Sequence, residues 1–159
     1  SDMAWGHELY CLGHLFQAAV ARERTAPGAD VGLLGIARRA ADLICEVFGE
    51  DGIQSVCGHA EVEVGLAELS RVTGEQRYLR LAELFIERRG HHVLPEHEWG
   101  RAYFQDDLPI REATVQRGHT VRANYLAAGA VDVAVETGDA DLLATLRGVG
   151  TAPWRAERT

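Results

Sequence analysis

Hydrophobic positions recur at helical spacing along most of the chain, and short Gly-containing turns interrupt them at intervals. Leu12, Leu15, Phe16 and Ala19 share one face of a segment from Leu9 to Arg24, whose wet end is Arg22-Glu23-Arg24. After the turn Thr25–Asp30, with Asp30 expected as N-cap, Leu33, Ala37, Ala40, Ile44 and Phe48 line a second helix from Val31 to Phe48. Arg38, Arg39, Asp42 and Glu46 take its other side, and Gly49 closes it as a C-cap. A polar loop, Glu50 to Cys57, then leads into a third helix after His59. There Val62, Val64, Leu66, Ala67, Leu69 and Val72 cover a wide arc, which suits a helix packed on several neighbours.

The fourth helix, Gln76 to Arg89, is two-faced. Tyr78, Leu81, Ala82 and Phe85 are expected inward, and Arg80, Glu83, Glu87 and Arg88 toward water. His91 to Val115 breaks the rhythm with Pro95, Gly100 and Pro109, yet Trp99, Tyr103 and Phe104 argue against disorder. Thr120 to Glu136 is small and apolar nearly all round, which predicts a buried helix that lets its neighbours approach closely. A sixth helix starts at Asp139 or Asp141 and is expected to stop around Arg147, leaving 148–159 as an irregular tail.

These segments form an internal repeat. Gly6-His7, Gly58-His59 and Gly118-His119 each open an inner helix, and Thr73-Gly74 and Thr137-Gly138 each close one. An outer helix follows each time, anchored by Leu33-Leu34, Tyr78-Leu79 and Leu142-Leu143. The reading is all-α, with three helical hairpins in one domain over residues 1–147. Antiparallel hairpins stacked in this way put the inner-helix N-termini on one rim, so His7, His59 and His119 are expected to converge around one mouth.

Composition narrows the function classes. With 159 residues, 47% of them hydrophobic, the chain is suited to one core, and its formal charge of −8 is spread along helices without a basic patch. Nucleic acid and anionic membrane surfaces are therefore not expected partners. The longest apolar run, Tyr125 to Val135, contains Asp132 and is shorter than the ~20 residues of a membrane span. No signal peptide is evident ahead of His7 and Glu8, and Cys11, Cys45 and Cys57 follow no disulfide framework. Reduced, mostly buried thiols and a cytoplasmic setting are the expectation.

A single His beside a helix start is most often a surface or capping residue, but three at equivalent repeat positions put a site on an equal footing with repetition for packing alone. Neutral imidazoles around a mouth could serve a polyhydroxylated ligand or a metal, although no spacing here is a zinc signature. His7-Glu8-Leu9-Tyr10-Cys11 has Cys11 where a zincin motif has its second His. Cys57, two residues before His59, reads as a buried structural thiol more readily than as a nucleophile. Glu8, Glu61, Glu63, Asp106 and Glu112 are read as helix N-terminal or solvated acids. Gln105-Asp106-Asp107 is the more suggestive polar set, because it adjoins aromatic residues that suit sugar binding. His91, His92 and His97 are expected at the loop surface.

Five stretches carry a family resemblance. They are His7-Glu8-Leu9-Tyr10-Cys11-Leu12-Gly13-His14-Leu15, Gly58-His59-Ala60-Glu61-Val62-Glu63, Leu69-Ser70-Arg71-Val72-Thr73-Gly74, Tyr103 through Glu112, and Gly118-His119-Thr120-Val121-Arg122-Ala123. In this order they resemble glycoside hydrolase family 127, the β-L-arabinofuranosidase-like family, from about Trp5 to Leu146. The resemblance implies an (α/α)6 barrel and retaining removal of terminal β-L-arabinofuranose. It also implies a zinc-bound cysteine nucleophile and a glutamate acid/base. By motif position His7, His59 and His119 would contact the sugar, with Gln105 and Asp106 as further substrate-binding candidates.

Ala60 stands where the family usually has Pro, and Asp107 where it often has His. The family's reactive glutamate and zinc-binding residues fall C-terminal to the matched region, and Cys11, Cys45 and Cys57 match none of them. The expectation is therefore about half of the barrel, with a sugar-binding wall, no catalytic residue and no cofactor in this chain. Zinc is expected in the full-length family enzyme, and the exposed half-barrel flanks suggest a homo-oligomer. The alternative is a noncatalytic α-helical repeat module that binds a protein or carbohydrate.

Overall fold

The computed structural model describes residues 2–28 and 32–151. Its α-helices are α1 (Glu8–Thr25), α2 (Leu33–Phe48), α3 (Val62–Thr73), α4 (Gln76–Arg88), α5 (Thr120–Thr137) and α6 (Ala140–Thr151). Two 3-10 turns, Arg101–Phe104 and Ile110–Glu112, interrupt the long connection between α4 and α5, and the described residues contain no strand. The chain is an all-helical, partial α/α barrel. The expected cap at Asp30 and helix start at Val31 lie outside the described residues. The far end of the tail, 152–159, lies outside them too, but α6 runs on past Arg147 to Thr151.

The inner helices stand side by side, α1 on α3 and α3 on α5, while α2, α4 and α6 lie behind them. Helix α3 is the centre of this arrangement, and Val62 through Ala67 are all buried. Two glycines set its distance from α1. A Cβ on Gly65 would lie 2.6 Å from the Gly13 carbonyl oxygen and 2.8 Å from the Gly13 Cα, so the two backbones are in contact. A Cβ on Gly129 of α5 would likewise lie 2.8 Å from the Glu63 Cβ of α3. Small residues at the crossings bring three inner helices close enough to share one rim.

Three expectations change. Arg88 does not face water: it is buried, and its guanidinium donates to the carbonyls of Phe48 at 2.5 Å and Gly49 at 2.7 Å. It thereby satisfies carbonyls that the end of α2 leaves without intrahelical partners. Helix α5 is not buried all round, because Val121, Val131 and Val135 are exposed on a flank that no further inner helix covers among the described residues. Helix α2 leaves Ile36, Leu43 and Val47 exposed as well, with Ile53 beyond it. Finally Cys11 is exposed, and only Cys57 is fully buried; all three cysteines are free thiols.

Replacement of Gly65 by Ala drives a methyl group into the α1 backbone, which cannot move aside as a flexible side chain would. The expected loss is on the order of 3 kcal/mol, read as a lower midpoint in urea unfolding. Gly148→Ala, with open space at the Cβ position, should cost nothing comparable.

Candidate functional site

The rim is assembled from three loops that feed the inner helices. His7 is the N-cap residue of α1, His119 that of α5, and His59 lies just before α3. The N-terminal segment crosses the second of these loops closely: the Gly58 amide donates to the Met3 carbonyl at 2.7 Å. A Cβ on Gly58 would overlap the Ala4 carbonyl oxygen, so only glycine fits. Gly118 adopts a left-handed backbone, φ 73°, against the Ala102 carbonyl and turns the chain into α5.

Two buried guanidinium groups hold these loops to one another. Arg122 of α5 donates through Nε to the Gly58 carbonyl at 3.1 Å, and its guanidinium carbon lies 4.8 Å from the ring centre of Tyr103 and 5.2 Å from that of Phe104. Arg89, at the end of α4, donates to the Cys57 carbonyl at 2.5 Å and the Phe104 carbonyl at 2.8 Å. Positive charge is thus directed at loop carbonyls and aromatic faces.

The three imidazoles that sequence selected do converge. The His7 and His59 ring centres are 6.0 Å apart, and those of His59 and His119 are 6.4 Å apart. Tyr10 lies 4.4 Å from His59, Tyr125 lies 5.7 Å from it, and Tyr103 lies 5.2 Å from His119. His14 joins the cluster through Tyr10, at 4.6 Å. A concave wall of rings with polar edges results.

His59 is 9% exposed, and desolvation pushes its pKa down to about 4, with Arg122, His7 and His119 adding repulsion. It is neutral at pH 7. Its Nδ1 lies 2.9 Å from the Ala60 carbonyl oxygen, so Nδ1 carries the hydrogen and Nε2 is left as an acceptor. His119 is also pushed down, by desolvation first and then by Arg122, and its buried Nδ1 has no hydrogen-bond partner in the protein. Neutral rings of this kind suit hydroxyl groups better than anions.

Gln105 and Asp106 are placed differently. The Asp106 carboxylate is fully buried and organises the loop: Oδ1 accepts from the Gly90 and Val93 amides, both at 3.2 Å, and Oδ2 accepts from Leu94 at 2.8 Å. The structure does not bring it to the ring cluster. Gln105 donates to the Tyr103 and Arg117 carbonyls, both at 3.2 Å, and borders a small apolar cavity with Leu108, Ala123, Leu126 and Leu146. Among the described residues no group of three or more His, Cys, Asp or Glu side chains could hold a metal ion. Cys57 is a packed thiol whose Sγ lies 3.6 Å from the Gly6 carbonyl, and burial raises its pKa.

Glu61 and Glu63 sit at the N-terminus of α3, as expected, but neither is solvated: both are fully buried. Glu63 Oε2 accepts from the Glu61 amide at 2.9 Å, and its Oε1 lies 3.7 Å from Arg89 Nη2. Glu61 fills the notch left by Gly13, where a Cβ would overlap its Oε2. Neither of its oxygens has a hydrogen-bond partner, and Oε1 lies 3.4 Å from His14 Nδ1. Desolvation, then the charges of Glu63 and Glu68, push its pKa up to about 8. The Gly13 and Gly65 pair was the available signal: paired glycines inside helices mark a close crossing that can enclose an acid.

Residues 1–150 match the family described as beta-L-arabinofuranosidase, GH127 catalytic domain. A curated relative from Bifidobacterium longum, a non-reducing end beta-L-arabinofuranosidase, is 34% identical over 89% of this chain. The chain spans 24% of that relative's length. Among solved structures, a GH127 beta-L-arabinofuranosidase from Geobacillus stearothermophilus T6 superposes with a TM-score of 0.85 at 34% identity, covering 94% of this chain and 26% of its own. Another GH127 beta-arabinofuranosidase gives 0.82 at 31% identity, covering 94% of this chain and 23% of its own.

Burial of Glu61 predicts how stability depends on pH. With a folded pKa of about 8 against an ordinary value of 4.5, the folded protein keeps a proton that the unfolded chain releases, so stability falls as pH rises between these values. His59 acts below its ordinary value of 6.5, where falling pH toward about 4 destabilises the fold. From pH 6.5 to 8 only Glu61 of the two is active. Folding free energy should drop by about 2 kcal/mol across that interval, and Glu61→Gln should flatten the slope in urea unfolding.

Proposed function

Because the chain belongs to the GH127 beta-L-arabinofuranosidase catalytic-domain family, we propose that it forms the sugar-binding wall of a glycoside hydrolase acting on terminal β-L-arabinofuranosides. The observation that carries this reading is the convergence of the His7, His59 and His119 rings, neighbouring ring centres lying no more than 6.4 Å apart. A furanose presents hydroxyl groups around a small apolar ring. His59 Nε2 accepts from such a hydroxyl, a second hydroxyl supplies His119 Nδ1 with the partner it lacks in the protein, and the Tyr10 and Tyr125 rings enclose the apolar part. Gln105 and Asp106 contribute by holding the loop that carries Tyr103 beside His119.

The reactive glutamate, the cysteine nucleophile and the zinc of the complete enzyme belong to sequence outside these residues. The free thiols fit a reducing, cytoplasmic setting. No described helix is long and apolar enough to cross a membrane. The exposed valines of α5 and the apolar side of α2 are the two flanks through which two copies would associate.

One titration tests the site. A 4-nitrophenyl β-L-arabinofuranoside should bind this chain without release of nitrophenol, and His59→Ala should weaken binding about tenfold, the equivalent of one buried hydrogen bond. Hydrolysis by these residues alone, or unchanged affinity in the variant, would refute the reading. Light scattering should give a mass above the monomer's 17.4 kDa at micromolar concentration. A charged substitution at Leu43 should reduce it.

A further inference from the structure

Glu61 is costly where it stands. It is 0% exposed, it occupies the notch over Gly13, and an apolar side chain of similar volume would fill that space without a desolvation penalty. Its carboxyl group has no hydrogen-bond partner in the protein, and the polar atom it faces is His14 Nδ1, 3.4 Å from Oε1, just beyond the usual hydrogen-bond range. The His14 side chain is 41% exposed. Its ring sits against Tyr10 at 4.6 Å and Tyr125 at 5.9 Å, the two tyrosines that also flank His59. His14 therefore belongs to the same wall as the three rim histidines, one helical turn inward along α1 from Tyr10.

We infer that His14 is a fourth ligand-binding imidazole of this wall and that Glu61, as a neutral carboxylic acid, is the positioning residue that sets its tautomer. This rests on the proposed sugar-binding role of the wall. Closing the short gap to Nδ1, the Glu61 hydroxyl donates to it, so the ring proton resides on Nε2 and His14 offers a donor to a sugar oxygen. It complements His59, whose Nδ1 is committed to Ala60 and whose Nε2 accepts. One acceptor and one donor on two rings that share Tyr10 and Tyr125 can discriminate between hydroxyl orientations, which charge alone cannot.

The pairing makes His14 a switch. When Glu61 loses its proton, the carboxylate accepts from Nδ1–H, the ring keeps one proton in total, and Nε2 becomes an acceptor. The groups around Glu61 leave this as the change expected near pH 8. From α1 these are Tyr10, whose pKa burial and Tyr125 hold above its ordinary value, and His14 itself. From α3 they are Glu63, which faces Arg89, and Glu68, which lies 3.9 Å from Arg24. Tyr125 is the neighbouring group from α5. The burial that raises Glu61 thus tunes the donor at the wall.

The test reads tautomers directly. Histidine labelled with nitrogen-15 is followed by long-range proton–nitrogen correlation between pH 7 and 9, with His14→Asn identifying the His14 peaks. The Nε2–H tautomer should dominate at pH 7 and give way to Nδ1–H with a midpoint near 8. In Glu61→Gln the side-chain amide still donates to Nδ1, so the Nε2–H tautomer should persist through pH 9. A wild-type tautomer that does not change with pH, or a transition that survives in Glu61→Gln, overturns the inference. No sugar is needed for this reading, so failure to bind an arabinoside counts against the proposed function and not against the pair.

Discussion

The contact between α1 and α3 at Gly13 and Gly65 governs both the shape of the inner layer and the chemistry of its rim. Two helices whose backbones touch leave no room for side chains at the crossing, and the inner layer becomes thin enough for residues on three loops to meet. The same crossing creates the notch that Glu61 occupies. Its carboxyl lies over the Gly13 backbone, shut off from water, with His14 Nδ1 as the polar atom it faces, and desolvation dominates its pKa. Close packing and perturbed chemistry have one cause in this fold.

Arginine serves this arrangement as a structural tie. Arg88, Arg89 and Arg122 are buried, and each directs its guanidinium at main-chain carbonyls from a different part of the chain. A guanidinium keeps its charge in such places, and its fork of donors spans two carbonyls at once, as Arg89 does between Cys57 and Phe104. The ties bring the loop before α3, the end of α4 and the long connection to α5 into register. Desolvation of His59 and His119 in this packed rim, reinforced by repulsion from Arg122, lowers both pKa values and keeps the rings neutral. Asp106 plays the complementary part inside the long connection, gathering three amides on one carboxylate.

The open flanks belong to the same logic. Inner helices in a curved layer bury both sides only when neighbours stand on both, and among the described helices α3 has that position. Helix α5, equally small and apolar, remains exposed on one side. Composition expresses what a helix can bury, whereas its neighbours decide what it does bury. The family relatives are about four times longer than the matched region, so this layer corresponds to one part of their chains.

Much of this was legible in one dimension. Helical periodicity and the recurring Gly-His openings specified the hairpins, their order, and the meeting of His7, His59 and His119, because alternation of inner and outer helices leaves little freedom in where the N-termini go. Sequence could not place Arg88, Glu61 or Glu63, which look like surface charges in any helical pattern, and it offered Asp106 as a sugar contact rather than as the buried organiser of a loop. Their burial depends on which backbone carbonyls and amides the fold leaves unpaired, and on where two glycines let helices touch. The pairing of His14 with Glu61 has the same origin: only a tertiary contact places an acid against one nitrogen of a ring. Local periodicity records the direction a side chain faces, while protonation and partnership are settled by what the rest of the chain brings to meet it.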